Sequence, residues 1–453
     1  MYTIPLLING QYKTSTTTFP VESPVSHTTL WSCSSASSAD VDAALAAASA
    51  AFPIWSKTKP AVRRTILLKA ADLLEERAEE LKDHMNQETG SVGPFADFNV
   101  SLAVEAIRDV AGRCSAIMGS IPTCQEEGTS ALILKEPFGV VLGIAAWNAP
   151  YPLGIRACLF PIAAGNTCIL KGSELSPRCF EHIGRLFTDA GLPAGVNFTG
   201  SSAVGALIAA AAGRALKPCL MELGGKASAI VLDDADLELA AMQCTLGAFM
   251  HSGQICMSTE RILVHAAVVD KFRPALQKAV AGFLPAGGPA PVLVQGPAVF
   301  RNRALVADAL SKGATLLTGD PEADEPHPET GAPSATRLRP LVVDGVTPAM
   351  ALYRDESFGP SVSIITVADD DEAVAIANDT EYGLSAAVFT KDLGRGLRVA
   401  RRIESGAVHI NSNSVHDEAM LPHGGAKSSG WGRFNAQWGI EEFLRIKTVT
   451  FQE

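Results

Sequence analysis

Two side chains in this sequence pair a nucleophile with a base. Cys256 sits in GQICMSTER, flanked by small and polar residues ahead of a predicted strand, and Glu222 lies upstream of it in MELGGK. A thiolate is a strong nucleophile, and covalent catalysis needs one beside a group that can take its proton or activate water. Glu222 stands between Met221 and Leu223, at the end of a predicted parallel strand that two glycines follow. Catalytic groups collect beyond the carboxyl ends of such strands, and partial desolvation there makes a carboxylate a better base near neutral pH. Each residue also has a plainer reading. Taken alone, a cysteine in that context is more often a small core residue, and Glu222 reads as well as an ion-pair partner of Lys226.

The other eight cysteines are Cys33, Cys114, Cys124, Cys158, Cys168, Cys179, Cys219 and Cys244. They form no CxxC pair and have no accompanying histidine spacing, so neither a metal site nor a disulfide framework is expected. An odd number of unpaired thiols fits a reducing, cytoplasmic setting. The net charge of -11 argues against a nucleic-acid or anionic-membrane partner. Arg401 and Arg402 form a local basic pair, read as a solvated helix face. No signal peptide and no apolar run of membrane-spanning length is visible.

A chain of 453 residues is expected to fold as two or three domains. Apolar spacing predicts helices over 40–51 and 60–87. SALILKE (130–136) reads as a strand outside that helical region. From residue 138 the pattern changes: FGVVLGIAAW and TCILK are continuous apolar strands, with helices over 152–164 and PRCFEHIGRLFTDAG. VNFTGS, the helix AVGALIAAAAGRAL and the strand KPCLMELGG follow. Buried strands alternating with helices predict a parallel sheet in an α/β domain. A second α/β domain is predicted from ERILVHA, SVSIITV, AAVFT and AVHINS as strands, with VVDKFRPALQKAVAGF, DDEAVAIAN and GRGLRVARRI as helices. Residues 285–292 read as a loose Pro/Gly segment, and 320–336 as a solvated surface loop.

The two reactive residues belong to an ordered set of motifs. LLINGQY, AAWNAP (145–150), KGSE (171–174), FTGSSAVG (198–205), ELGGK, GQICMSTER, ESFGP (356–360) and PHGGAKSSGWGR (422–433) follow one another from Leu6 to the C-terminus. In that order they resemble the aldehyde dehydrogenase superfamily, and HINSNSVHDEAMLPHGG is similar to its salicylaldehyde and vanillin dehydrogenase branch. The resemblance implies a Rossmann-type cofactor domain over 1–118 and 138–224, a catalytic domain over 225–424, and an oligomerisation element from 119–137 and 435–453. It implies that Cys256 attacks an aldehyde, that the Asn148 amide and the Cys256 N–H hold the oxyanion, and that Glu222 activates the hydrolytic water.

For the cofactor, the resemblance implies NAD, with NADP as the alternative. Trp147, Lys171, Glu174, Gly200, Ser201, Gly205, Glu356 and Phe358 are the implied contacts. Lys171 stands in the catalytic set as well. Glu174 near the ribose hydroxyls favours NAD, because a 2′-phosphate would meet like charge. Gly200, Ser201 and Gly205 open a helix whose N-terminus attracts the pyrophosphate. Singly, Lys171 and Glu356 read as surface ion pairs. Aromatic substrate preference is the implication of the C-terminal block, with Tyr151 and Trp431 as candidate ring neighbours; packing is their alternative reading. A homodimer or tetramer is implied, built on 130–136 and Lys447 to Gln452, whose edges would pair across subunits.

This sequence departs from the family pattern in small and large ways. Ala146 and Gly172 stand where proline is usual, and His423 stands where an aromatic precedes Gly-Gly. The large departure is at Val196–Asn197, where GLPAGV runs straight into NFTGS and about one strand-helix unit beside the adenine is missing. An empty slot in a parallel sheet would expose apolar surface, so either neighbouring strands shift inward or the domain is only marginally stable, and cofactor affinity should be weak. Three readings follow: a working dehydrogenase of aromatic aldehydes, a silent homologue acting as scaffold or partner subunit, and a cofactor-independent thiol esterase.

Overall fold

The computed structural model describes residues 1–192, 202–284, 287–323, 325–328 and 330–452. The first hydrophobic core is built around the helix Pro150–Ala164, every residue of which is buried. Pro150 suits the first helical turn, where its missing N–H costs nothing, and Gly165 closes the helix in the left-handed region. The helices Pro60–Glu76, Ala78–Thr89, Pro94–Arg113 and Pro177–Ala190 pack around it through Leu67, Met85, Ile107 and Leu186. The helix expected over 60–87 is thus two helices that meet at Arg77.

Strands Val140–Ile144 and Thr167–Lys171 pair in parallel at this core. The expected strand VNFTGS and the Val196–Asn197 junction lie outside the described residues, as do Gly200 and Ser201. Among the described residues of this unit, two apolar side chains face water. Leu142 is 60% exposed although it sits in a parallel strand, and Leu207, on the helix Ser202–Arg214, is 72% exposed.

The second unit is a seven-stranded sheet in the order Thr315–Thr318, Leu341–Asp344, Ser361–Val367, Thr259–His265, Ala227–Val231, Ser385–Phe389, Ala407–Ile410. All neighbours are parallel except the edge strand Thr315–Thr318. Alternation places Ile230, Leu263 and Val343 in one core layer and Ala229, Val231 and Ile262 in the other. The predicted strands and helices of this unit are present. Elements beyond those predicted include the strands Ala227–Val231, Thr315–Thr318 and Leu341–Asp344 and the helices Leu237–Phe249, Gly296–Ser311 and Ala351–Arg354.

Strand Thr129–Pro137 pairs antiparallel with Leu444–Gln452 along its whole length, forming a ribbon of the two segments singled out in the sequence. Near the start, Leu6–Ile8 and Gln11–Lys13 form a hairpin whose turn, Asn9-Gly10, has positive φ at both residues. Most described residues of the segment 320–336 are exposed, as expected of a surface loop, but it is anchored at a few positions. Its Glu325 and His327 are buried: Glu325 pairs with Arg339 at 2.8 Å, and the His327 ring packs edge-on against His27. No helix among the described residues is long and apolar enough to cross a membrane.

Candidate active site

Glu222 does not end a long parallel strand. Its strand is two residues, Met221–Glu222, paired antiparallel with Gly430–Trp431. Both ELGGK and GQIC instead lead into the amino ends of neighbouring parallel strands, with Ala227 opposite Thr259. That register brings the two motifs side by side. The glycines between Glu222 and Lys226 make the approach possible. A Cβ on Gly224 would sit 2.5 Å from the Glu356 carboxylate, and one on Gly225 would sit 2.3 Å from the Cys256 carbonyl oxygen.

The Glu222 carboxylate interacts with the Cys256 thiol, and burial together with that nearby negative charge pushes the thiol well above its ordinary pKa. Glu222 is 2% exposed, and its Oε1 has no hydrogen-bond partner. The ion pair with Lys226 is absent. Lys226 instead lies 2.6 Å from Glu260 and donates to the Asp355 carbonyl. Glu260 in turn accepts from the Ser357 N–H and hydroxyl and from the Phe358 N–H. This ties ESFGP to the strand that follows Cys256.

Asn148 is buried just before the helix Pro150–Ala164, and its Nδ2 donates to the Gln254 carbonyl at 3.0 Å. Gln254 is itself fixed by Val292 and Val294. The Asn148 amide is therefore anchored to the loop that carries Cys256. The Trp147 ring meets the Phe358 ring at 5.9 Å, and Phe358 has positive φ. Glu356 accepts from the Gly225 N–H at 2.7 Å, and burial pushes its carboxyl up to about 7 against that bond. Gly205 is buried, with Leu223 filling the place of a Cβ.

Lys171 and Glu174 pair with each other at 3.2 Å, and both side chains are largely exposed. Among the described residues, that is the ion pair Lys171 makes; it does not bring the amine to Cys256. Tyr151 is fully buried and donates to the Leu81 carbonyl, so it packs the core. Trp431 is half exposed and donates to the Cys219 carbonyl.

Two further groups stand at the site that sequence reasoning did not assign. His251 stacks on Phe95 at 4.6 Å, and burial lowers its pKa to about 3. His423 places Nε2 3.6 Å from Glu222 Oε1, and Nδ1 3.8 Å from Asp417. For His423 the signal was its departure from the family's aromatic; for His251 no spacing pointed to it.

The model of the aldehyde dehydrogenase family matches this chain over residues 12–197 and 194–449. The chain belongs to the aldehyde dehydrogenase family. The two matched stretches of this aldehyde dehydrogenase meet at the Val196–Asn197 junction. It is 42% identical over 487 residues to a vanillin dehydrogenase of Pseudomonas sp. strain HR199, covering 100% of this chain and 98% of that protein. It is 37% identical over 470 residues to a salicylaldehyde dehydrogenase of a Pseudomonas strain, covering 96% and 95%. The crystal structure of a salicylaldehyde dehydrogenase from Pseudomonas putida G7, complexed with salicylaldehyde, matches with a TM-score of 0.93 at 35% identity. That match covers 100% of this chain and 99% of the other. Family, fold and chemistry therefore agree: this is an NAD(P)-dependent oxidoreductase acting on an aldehyde.

Proposed function

We propose that this aldehyde dehydrogenase converts an aromatic aldehyde to its carboxylic acid, with Cys256 as nucleophile and Glu222 as general base. The observation that carries the roles is the meeting of a buried thiol and a buried carboxylate, one of whose oxygens has no hydrogen-bond partner, across two glycines. The vanillin and salicylaldehyde dehydrogenases among its relatives support the aromatic substrate.

Cys256 attacks the aldehyde carbon and forms a thiohemiacetal. The Asn148 amide and the Cys256 N–H hold the developing oxyanion, as fixed donors that need no reorganisation. When bound, NAD supplies the hydride acceptor that turns this adduct into a thioester. Glu222 then draws a proton from water, whose oxygen attacks the thioester carbon. The C–S bond breaks, and Cys256 is regenerated.

The residues present fit the nicotinamide half of a dinucleotide. Glu356 offers a buried carboxylate for ribose hydroxyls, and Trp147 and Phe358 offer two ring faces. Lys171 and Glu174 are free to meet the adenosine ribose, and the Glu174 charge favours NAD over NADP. Lys171 acts there through the cofactor rather than on the reacting carbon. The phosphate contacts Gly200 and Ser201 complete this reading, with Gly205 packing the helix start against Leu223. In this reading residues 1–118 and 138–224 bind cofactor and 225–424 carry the nucleophile.

The ribbon of Thr129–Pro137 and Leu444–Gln452 presents Ile446 and Phe451 to solvent, and it serves a homodimer or tetramer. Nine free cysteines suit a reducing, cytoplasmic compartment. The test is reduction of NAD and of NADP by the full chain, followed by absorbance with vanillin, salicylaldehyde, benzaldehyde and an aliphatic semialdehyde. Turnover confined to the aliphatic substrate sinks the aromatic assignment, and NADP preferred over NAD sinks the role given to Glu174.

A further inference from the structure

Behind the base lies a buried row of charged and polar groups that the reaction above does not use. Glu222 Oε1 and His423 Nε2 are both buried without hydrogen-bond partners, and they face each other at 3.6 Å. Once Glu222 carries a proton, a small shift brings the two atoms into a hydrogen bond that relieves the desolvation cost of both. The other ring nitrogen, Nδ1, lies 3.8 Å from Asp417 Oδ2. Asp417 accepts from Arg156 Nη2 at 2.5 Å and from Asn435 Nδ2 at 3.0 Å. Burial works against the Asp417 charge, but Arg156 and His423 outweigh it and hold the carboxyl below its usual range. The far end is anchored as an anion, which orients the imidazole with Nδ1–H toward Asp417 and Nε2 toward Glu222.

We propose that His423 is a positioning residue for thioester hydrolysis, whose Nε2 takes over from Glu222 the proton drawn from the attacking water. This rests on the reading of Glu222 as base and Cys256 as thioester carrier. The water O–H bond breaks as its oxygen bonds to the thioester carbon, and the proton passes to Glu222 and then to Nε2. The C–S bond breaks with its electron pair left on the Cys256 sulfur. Nothing is oxidised or reduced in this step. The imidazolium so formed stands between two carboxylates, where it is stabilised from both sides.

An outlet adjoins it. A cavity of about 50 Å³ is lined by Met257, His409, His416, Asp417 and His423, room enough for water beside polar partners. His416 is partly exposed and lies 2.8 Å from Glu418. The titratable and charged groups around the relay are Glu222, Cys256, Glu356, Asp417, Arg156, His409, His416 and Arg433, the last bound to the Gly425 carbonyl beside it. Neutral His409, lowered by burial to about 4, does not compete for the proton.

The test uses p-nitrophenyl acetate on the full chain without cofactor. The nitrophenolate burst reports acylation of Cys256 and counts folded sites, and the slow phase reports hydrolysis of the acyl-enzyme. His423→Phe keeps ring volume without nitrogen. It should retain the burst while the slow phase falls about tenfold near neutral pH, the size of one pKa unit. In His423→Gly, added imidazole should restore the slow phase and leave the burst alone. An unchanged slow phase in His423→Phe overturns the proposal. So does a parallel loss of burst and slow phase in both variants with no response to imidazole. Absence of a burst in the unaltered chain overturns the Cys256 reading, and this proposal with it.

Discussion

Lys226 Nζ lies 2.6 Å from Glu260 Oε2, with both side chains out of solvent. Lys226 follows Glu222 by four positions and Glu260 follows Cys256 by four, so the pair clamps the base strand to the nucleophile strand. Burial lowers the lysine's pKa against the attraction of Glu260. Glu260→Gln should therefore leave an unpaired buried cation and cost about 3–5 kcal/mol. It also removes the charged acceptor of the Ser357 and Phe358 N–H groups. The midpoint of denaturant unfolding reports the loss, and a midpoint within error of the unaltered chain refutes the clamp.

Cys256→Ala should abolish aldehyde oxidation and ester hydrolysis together, since one sulfur carries both acyl groups. The pH dependence of the thiol adds a second reading. Its folded pKa is raised, so the thiolate is scarce at neutral pH and grows as pH rises. Inactivation by iodoacetamide should accordingly keep accelerating beyond pH 9, the ordinary value for such a thiol. A plateau below pH 8 would contradict the burial and the negative neighbour. Residual turnover above a few per cent in the alanine variant excludes the shared covalent route.

Glu222→Gln should acylate normally and hydrolyse slowly. At saturating cofactor the first turnover of NADH survives as a burst, while the steady rate drops roughly 10²- to 10⁴-fold, the range of one general base. Rapid mixing separates the two phases. Loss of the burst with an undiminished steady rate reverses the assignment.

Cofactor affinity should be weak. The nicotinamide-side residues Glu356, Phe358 and Trp147 converge near Cys256, whereas the family match breaks beside the expected adenine position. Burying an adenine in an apolar slot is worth about 2 to 4 kcal/mol. Its loss weakens binding roughly 30- to 1,000-fold. Calorimetric titration should give a millimolar Kd for NAD. A micromolar value means that another segment supplies the adenine slot.

Much of this architecture is legible before any coordinates. The strands predicted at SVSIITV and ERILVHA form, as Ser361–Val367 and Thr259–His265, and each is buried over all but one residue of its length. The Cys256 and Glu222 motifs announce themselves by residue type and glycine context. What escapes is what depends on pairing. Met221–Glu222 looks like the end of a long strand, but its partner is Gly430–Trp431, more than two hundred residues away in the chain. The small-residue strand Ala227–Val231 hides behind the glycines of ELGGK. Glu325 and His327 sit in a stretch whose composition is that of an open loop, yet each is buried by a tertiary partner. Similarly, nothing local in LPHGG says that His423 will face Glu222, because the turn that aims it is set by Phe434 and Asn435.

The two strands that follow the reactive motifs also fix which length changes the gene can tolerate. Lys226 and Glu260 are 34 positions apart, but no chemistry demands that interval. The connection through Leu237–Phe249 runs over the outside of the sheet, and loops grow cheaply, at about 0.6 kcal/mol per doubling. Within Ala227–Val231 or Thr259–His265 the case is opposite. One inserted residue would slide a motif by about 3.3 Å along its neighbour and turn every following side chain to the other face. Thiol and carboxylate would then pass each other like misaligned teeth. Insertions in relatives that still turn over should therefore crowd into the intervening loops, and leave these two strands at constant length.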